Sequence, residues 1–160
     1  MILYHGGTEI IDKPLIRRST GSLDFGMGFY CTDIYKQAEK WAIRQGRIRK
    51  KTAILNTYNF DADKAYSNVK YKSFPDYSKE WLELVIKCRK DAGFIHGYDI
   101  VYGKIANDDV GETVQAVLDG LMSLETALQK LFFMPANNQY CFCTEKSLTY
   151  LELKKSEKLE

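Results

Sequence analysis

The chain has 160 residues, of which 45% are hydrophobic, 13% aromatic and only 3 proline, which excludes a disordered or linker-dominated protein and leaves room for a core with a pocket. Its 23 basic and 21 acidic residues give a net charge of +2, too near balance for charge alone to imply a nucleic-acid partner. Cys31, Cys88, Cys141 and Cys143 lack paired metal-ligand spacing, and only 2 histidines accompany them, so no metal is expected.

Residues 1 to 30 show no signal-peptide pattern, and no run approaches the roughly 20 apolar residues of a membrane span. A cytoplasmic protein with reduced thiols and no membrane contact is the expectation. Met1 to Tyr4 reads as a short strand, and His5-Gly6-Gly7 as a turn where backbone can approach a ligand. After an irregular stretch from Glu9 to Phe25, Gly26-Met27-Gly28 feeds a strand at Phe29-Tyr30-Cys31. Asp33 is placed to cap the next helix, whose residues Ile34, Ala38, Trp41 and Ala42 recur on one face that should pack inward.

A basic run follows, and then Thr52 to Phe60 carries the β-branched and aromatic residues of a strand. Ser78 to Ala92 has the stripe of a helix, with Trp81, Leu84, Val85 and Cys88 on one side. Asp99 to Gly103 reads as a buried strand, and Lys104 to Asp109, with Asn107 and Asp108, as a polar loop. Two short helices are expected at Gly111 to Asp119 and Ser123 to Phe132, then strands at Tyr140 to Thr144 and Leu148 to Leu153. Cys141 and Cys143 alternate with aromatic neighbours, as buried and inert thiols would, and residues 154–160 form a charged tail expected to fray. Residues 1–153 are therefore read as one α+β domain.

Three separated segments, Leu3-Tyr4-His5-Gly6, Gly26 to Asp33 with Ala38 and Trp41 downstream, and Asn138 to Phe142, resemble the three motifs of PARP-like and diphtheria-toxin-type ADP-ribosyltransferases. More narrowly, the chain is similar to small bacterial PARP-like domains of unknown function, some of them encoded in toxin–antitoxin pairs. The resemblance implies a split antiparallel β-sheet with flanking helices, holding NAD in a cleft where the nicotinamide–ribose bond breaks. It implies that His5 binds a ribose hydroxyl, that Gly6 offers its main chain to the nicotinamide amide, and that Tyr30 and Trp41 sandwich the nicotinamide ring. Gly28 would let the strand entrance curl close to the ligand.

The third motif departs from the polymerising members, because Gln139 stands where a catalytic glutamate is usual. A carboxylate both orients the 2′-hydroxyl and opposes the positive charge developing on the ribose, whereas an amide keeps only the orienting bond. That difference is worth about tens-fold in rate, which favours mono-ADP-ribosyl transfer over chain elongation. Asp108 and Asp109, with Asn107 beside them, are candidate loop contributors of a borrowed carboxylate. The implied partners are NAD, a protein or nucleic-acid acceptor, and for a toxin a small antitoxin protein.

Other readings stand beside these. Gln139 would also suit a module that holds NAD or ADP-ribose without turnover, and the basic segment 44–51 a nucleic-acid-binding protein. A lone His-Gly is weak, since His96-Gly97 repeats it in what reads as a surface turn, and Trp41 could equally serve as packing on its helix.

Overall fold

A computed structural model describes residues 1–16, 23–106, 108–132 and 137–159. Two sheets organise the chain. The first contains β1 (Ile2–Gly7), β3 (Ala53–Phe60) and β7 (Leu151–Leu159) in the order β1-β3-β7, antiparallel throughout. The second contains β2 (Phe29–Cys31), β6 (Gln139–Phe142), β5 (Ile100–Gly103) and β4 (Tyr71–Phe74) in the order β2-β6-β5-β4, and only its β4–β5 pair is parallel. The sheets meet where Tyr4 and Thr32 exchange backbone hydrogen bonds of 2.8 and 2.9 Å, which sets β1 beside β2.

Alternation along β5 and β6 explains why the second sheet is buried on both faces. Ile100, Tyr140 and Phe142 join Leu3, Phe29, Tyr58 and Phe60 in a core shared by the two sheets. Val101 and Cys141 point the other way, into a second core with Phe25, Trp81, Val85, Val114 and Leu131. That core is roofed by α3 (Lys79–Lys90), α4 (Asp108–Leu118) and α5 (Leu124–Leu131). Ser78 and Ser123 cap α3 and α5 by accepting from the backbone N–H of Trp81 and Thr126.

Several elements differ from the expectations. β1 continues through His5, Gly6 and Gly7, which pair with Asn56, Leu55 and Ile54, so the glycines form strand and not turn. Helix α1 (Tyr35–Arg49) is not capped by Asp33; Thr32 Oγ1 accepts from the N–H of Ile34, and Asp33 binds Asn138 instead. Only the small residues Ala38, Ala42 and Gly46 form its buried stripe, and Trp41 is 50% exposed. A short α2 (Ala62–Asn68) and β4 have no counterpart among the expected elements.

The loop expected through Asp109 ends sooner, because α4 begins at Asp108; Asn107 lies outside the described residues. The strand expected from Leu148 to Leu153 begins at Leu151, as β7, and Leu148 instead ends the helix α6 (Glu145–Leu148), started by a reciprocal cap between Thr144 and Ser147. The charged tail does not fray: residues 154–159 lie within β7, where Lys154 is passed over at a register shift and 155–159 pair with β3. As an edge strand, β7 tolerates Lys154, Lys155, Glu157 and Lys158, since edge positions face solvent. Among the described residues, no helix is long and apolar enough to cross a membrane, and no three or more His, Cys, Asp or Glu are grouped to hold a metal ion.

Candidate functional site

The three residues His5, Tyr30 and Gln139 arise on neighbouring strands, β1, β2 and β6, at the junction of the sheets. His5 Nδ1 lies 2.7 Å from the carbonyl oxygen of Tyr30, and its ring stacks on Phe29 at 4.5 Å. A carbonyl only accepts, so Nδ1 carries a proton and donates it to Tyr30. The Tyr30 hydroxyl donates to the carbonyl of Gly26 at 2.6 Å and accepts from the N–H of Phe25 at 3.2 Å. Burial, followed by the nearby Cys141, pushes the phenol well above its ordinary range, so it stays protonated and keeps that donor role.

The same loop reaches Gln139. Asp24, next to Phe25, is 7% exposed and receives four hydrogen bonds: Nε and Nη2 of Arg89 donate to Oδ1 at 3.1 and 2.7 Å, and the Ala106 N–H and Gln139 Nε2 donate to Oδ2 at 2.8 Å each. A continuous chain of contacts therefore runs from His5 through Tyr30 and the Asp24–Gly26 loop to Gln139. Asn138, one residue earlier, ties β6 to α1 by accepting at its carbonyl from Gln37 Nε2 at 2.7 Å, and binds Thr32 and Asp33 through its side chain.

Asp24 and Arg89 escaped the sequence reading. Arg89 falls one position after Cys88 on the apolar stripe of α3, and a cation beside that stripe was the available signal; Asp24, in an irregular stretch, offered none.

The two glycines expected to approach a ligand are required by the protein itself. A Cβ on Gly6 would lie 2.2 Å from the carbonyl oxygen of Ala38 and 2.9 Å from the N of Ala42, and one on Gly28 would lie 2.4 Å from Cys141 Sγ and 2.7 Å from the carbonyl oxygen of Phe142. Trp41 is not brought to Tyr30 by any ring contact among the described residues; its ring faces the Arg44 guanidinium at 5.8 Å. Near it on the outer side of α1, a hollow of about 510 Å³ is lined by Lys40, Ile43, Arg44, Arg47 and Ile48, and contains none of His5, Tyr30 or Gln139. The basic run itself closes α1, where Arg47 and Arg49 occupy the last turn and complement the helix dipole. Asp108 opens α4.

Cys141 is buried as expected, but a further cluster sets Cys143 apart from the reading of both thiols as buried and inert. Cys143 Sγ lies 3.3 Å from Cys141 Sγ and 3.8 Å from His96 Nε2. The Tyr98 N–H donates to His96 Nδ1 at 3.1 Å, which leaves the proton of the neutral ring on Nε2, facing the Phe25 carbonyl at 3.0 Å and the Cys143 sulfur. Hydrogen bonding from Cys141, and then from His96, lowers the Cys143 thiol to about 6 against the effect of burial, while burial pushes Cys141 upward. Native-state alkylation by iodoacetamide should therefore select Cys143, with a rate that rises through a midpoint well below the ordinary thiol range. Equal labelling of all four cysteines in the folded protein would contradict this. The stabilisation linked to that thiol should be complete above the ordinary thiol pKa and disappear as pH falls through about 6.

No curated protein and no solved structure matches the chain. A family model described as a protein of unknown function, DUF3990, matches residues 1–153, nearly the whole of the fold and all of the residues gathered at the sheet junction, and the chain belongs to that family.

Proposed function

We propose that the protein is an NAD-dependent mono-ADP-ribosyltransferase that cleaves the nicotinamide–ribose bond and passes ADP-ribose to a macromolecular acceptor. The observation that carries this reading is the convergence of His5, Tyr30 and Gln139, distant in sequence, on three adjoining strands linked by hydrogen bonds. His5 holds a ribose hydroxyl through an imidazole whose tautomer Tyr30 already sets. Tyr30 supports the nicotinamide end, and the Gln139 carbonyl accepts from the 2′-hydroxyl as the glycosidic bond lengthens. An uncharged acceptor contributes about 0.5–1.5 kcal/mol where a charged one contributes about 1.5–3, so a slow single transfer suits this site better than polymerisation.

Gln139 also favours a second reading, a module that binds NAD or ADP-ribose without turnover, and one experiment separates the two. NAD at about a hundredfold over its Kd should raise the unfolding midpoint by roughly 5–10 °C, and His5→Ala should abolish most of that rise, measured against its own ligand-free midpoint, which loses the Tyr30 bond and the Phe29 stack. With labelled NAD, release of nicotinamide and labelling of a macromolecule supports the transferase, and a melting shift without release supports the module. Wild-type protein whose midpoint ignores both NAD and nicotinamide would remove the NAD reading altogether.

A further inference from the structure

Gln139 is 8% exposed, and its Nε2 donates to Asp24 Oδ2 at 2.8 Å and to the Lys104 carbonyl at 3.4 Å. Both partners accept and neither can donate, which removes the usual ambiguity between the two ends of an amide. The NH₂ faces inward, and Oε1, to which no described residue donates, is the outward end. Asp24 is itself immobilised, because Arg89 holds its other oxygen, the Ala106 N–H shares Oδ2, and Arg89 Nη2 also donates to the Ala106 carbonyl at 2.6 Å. A carboxylate therefore stands one hydrogen bond behind the position where a glutamate was expected.

We propose that Asp24 is a positioning residue: with Arg89 behind it, Asp24 locks the Gln139 amide so that its carbonyl oxygen is presented as an acceptor for a ligand hydroxyl, such as one of the ribose diol. The identity of that ligand rests on the transferase reading; the locked orientation does not. The carboxylate and the amide form a pair whose chemistry should survive exchange. In the double variant Asp24→Asn/Gln139→Glu, the asparagine amide introduced on the loop would donate its NH₂ to the glutamate introduced on β6. The second oxygen of that glutamate would face outward, again as an acceptor. The asparagine oxygen would keep accepting from Arg89, the carboxylate would lie one hydrogen bond beyond it, and the Ala106 N–H would lose its acceptor in the double variant as it does in Asp24→Asn, so that loss cancels when the two are compared.

Each single substitution breaks the pattern differently. Gln139→Glu sets two carboxylates against each other, a repulsion that a shared proton relieves, so its stability should improve as pH falls toward the carboxylate range. Asp24→Asn leaves two amides, which frees Gln139 to turn its NH₂ outward.

The test compares wild type, Asp24→Asn, Gln139→Glu and the double variant by thermal unfolding and by binding of NAD and of nicotinamide, which lacks the ribose hydroxyls. Both singles should melt below wild type, and the double should melt above the sum of their losses. Asp24→Asn should weaken NAD about tenfold, the loss of one hydrogen bond, with nicotinamide unchanged, and the double variant should regain NAD affinity. A purely structural role for Asp24 would weaken both ligands in proportion to lost stability, with no rescue of the NAD-to-nicotinamide ratio, and would overturn the proposal. Additive melting losses would overturn the locked orientation even if NAD fails to bind wild type, the outcome that instead removes the transferase reading.

Discussion

Replacing Arg89 by methionine is expected to lower the free energy of unfolding by about 3–5 kcal/mol, the usual cost of stranding one partner of a buried ion pair. Arg89 and Asp24 are 15% and 7% exposed and 2.7 Å apart, so water gives little relief to whichever charge remains. Methionine preserves much of the aliphatic stem against the core, which isolates the loss of the guanidinium from a loss of packing. The midpoint should fall by roughly 6–20 °C. Urea unfolding monitored through Trp81, buried in the same core and donating its indole N–H to the Lys104 carbonyl at 3.0 Å, would measure it. A loss within the range of exposed ion pairs, about 1 kcal/mol or less, would show that the pair does not anchor the loop.

Gly6→Ala should be nearly as damaging, about 3 kcal/mol, the upper part of the range for overpacking. The atoms in the way are main-chain atoms of α1, the Ala38 carbonyl oxygen and the Ala42 nitrogen, which cannot rotate aside as a flexible side chain does. Relief requires α1 to lift from β1. Gly7 supplies the control on the same strand: a Cβ there would meet only the His5 ring, at 3.5 and 3.8 Å, an ordinary contact. Gly7→Ala should stay within about 0.5 kcal/mol of wild type. Circular dichroism melts of the two variants without ligand decide the matter, and equal stability of both would return Gly6 to the ligand-binding role first expected of it.

The strands and helices carrying long apolar patterns were legible in the sequence. Thr52 to Phe60, the stripe beginning at Trp81, and the helix expected from Ser123 to Phe132 all emerged within a residue or two of their expected places. Elements set by tertiary pairing were not. Gly6-Gly7 has the local chemistry of a turn, yet cross-strand bonds to β3 and the helix above hold it extended. The charged stretch after Leu153 has little strand character of its own and becomes strand because β3 offers an open edge. Trp41 shows the limit of periodicity: alanines on either side of it suffice for close packing, and a large ring there has no room to turn inward.

At the candidate site, His5, Tyr30 and Gln139 could be singled out by motif order, while the groups that fix them could not. Asp24 is placed by its bonds to Arg89, Ala106 and Gln139, which lie 65, 82 and 115 positions away, and such separations leave no local trace.

The late arrival of β7 has a consequence for how the molecule is made. Asn56 sits at the centre of the first sheet and accepts from the hydroxyl of Ser156, 100 positions further along the chain. During synthesis β3 must wait, one side bonded to β1 and the other bare, until Ser156 and its neighbours, 100 positions after Asn56, have followed it off the ribosome. Non-local closure of this kind slows folding and leaves a sticky flank available to other nascent chains. Deleting the segment from Lys154 onward should therefore reduce the soluble yield in cells more than its charged, solvent-facing composition suggests.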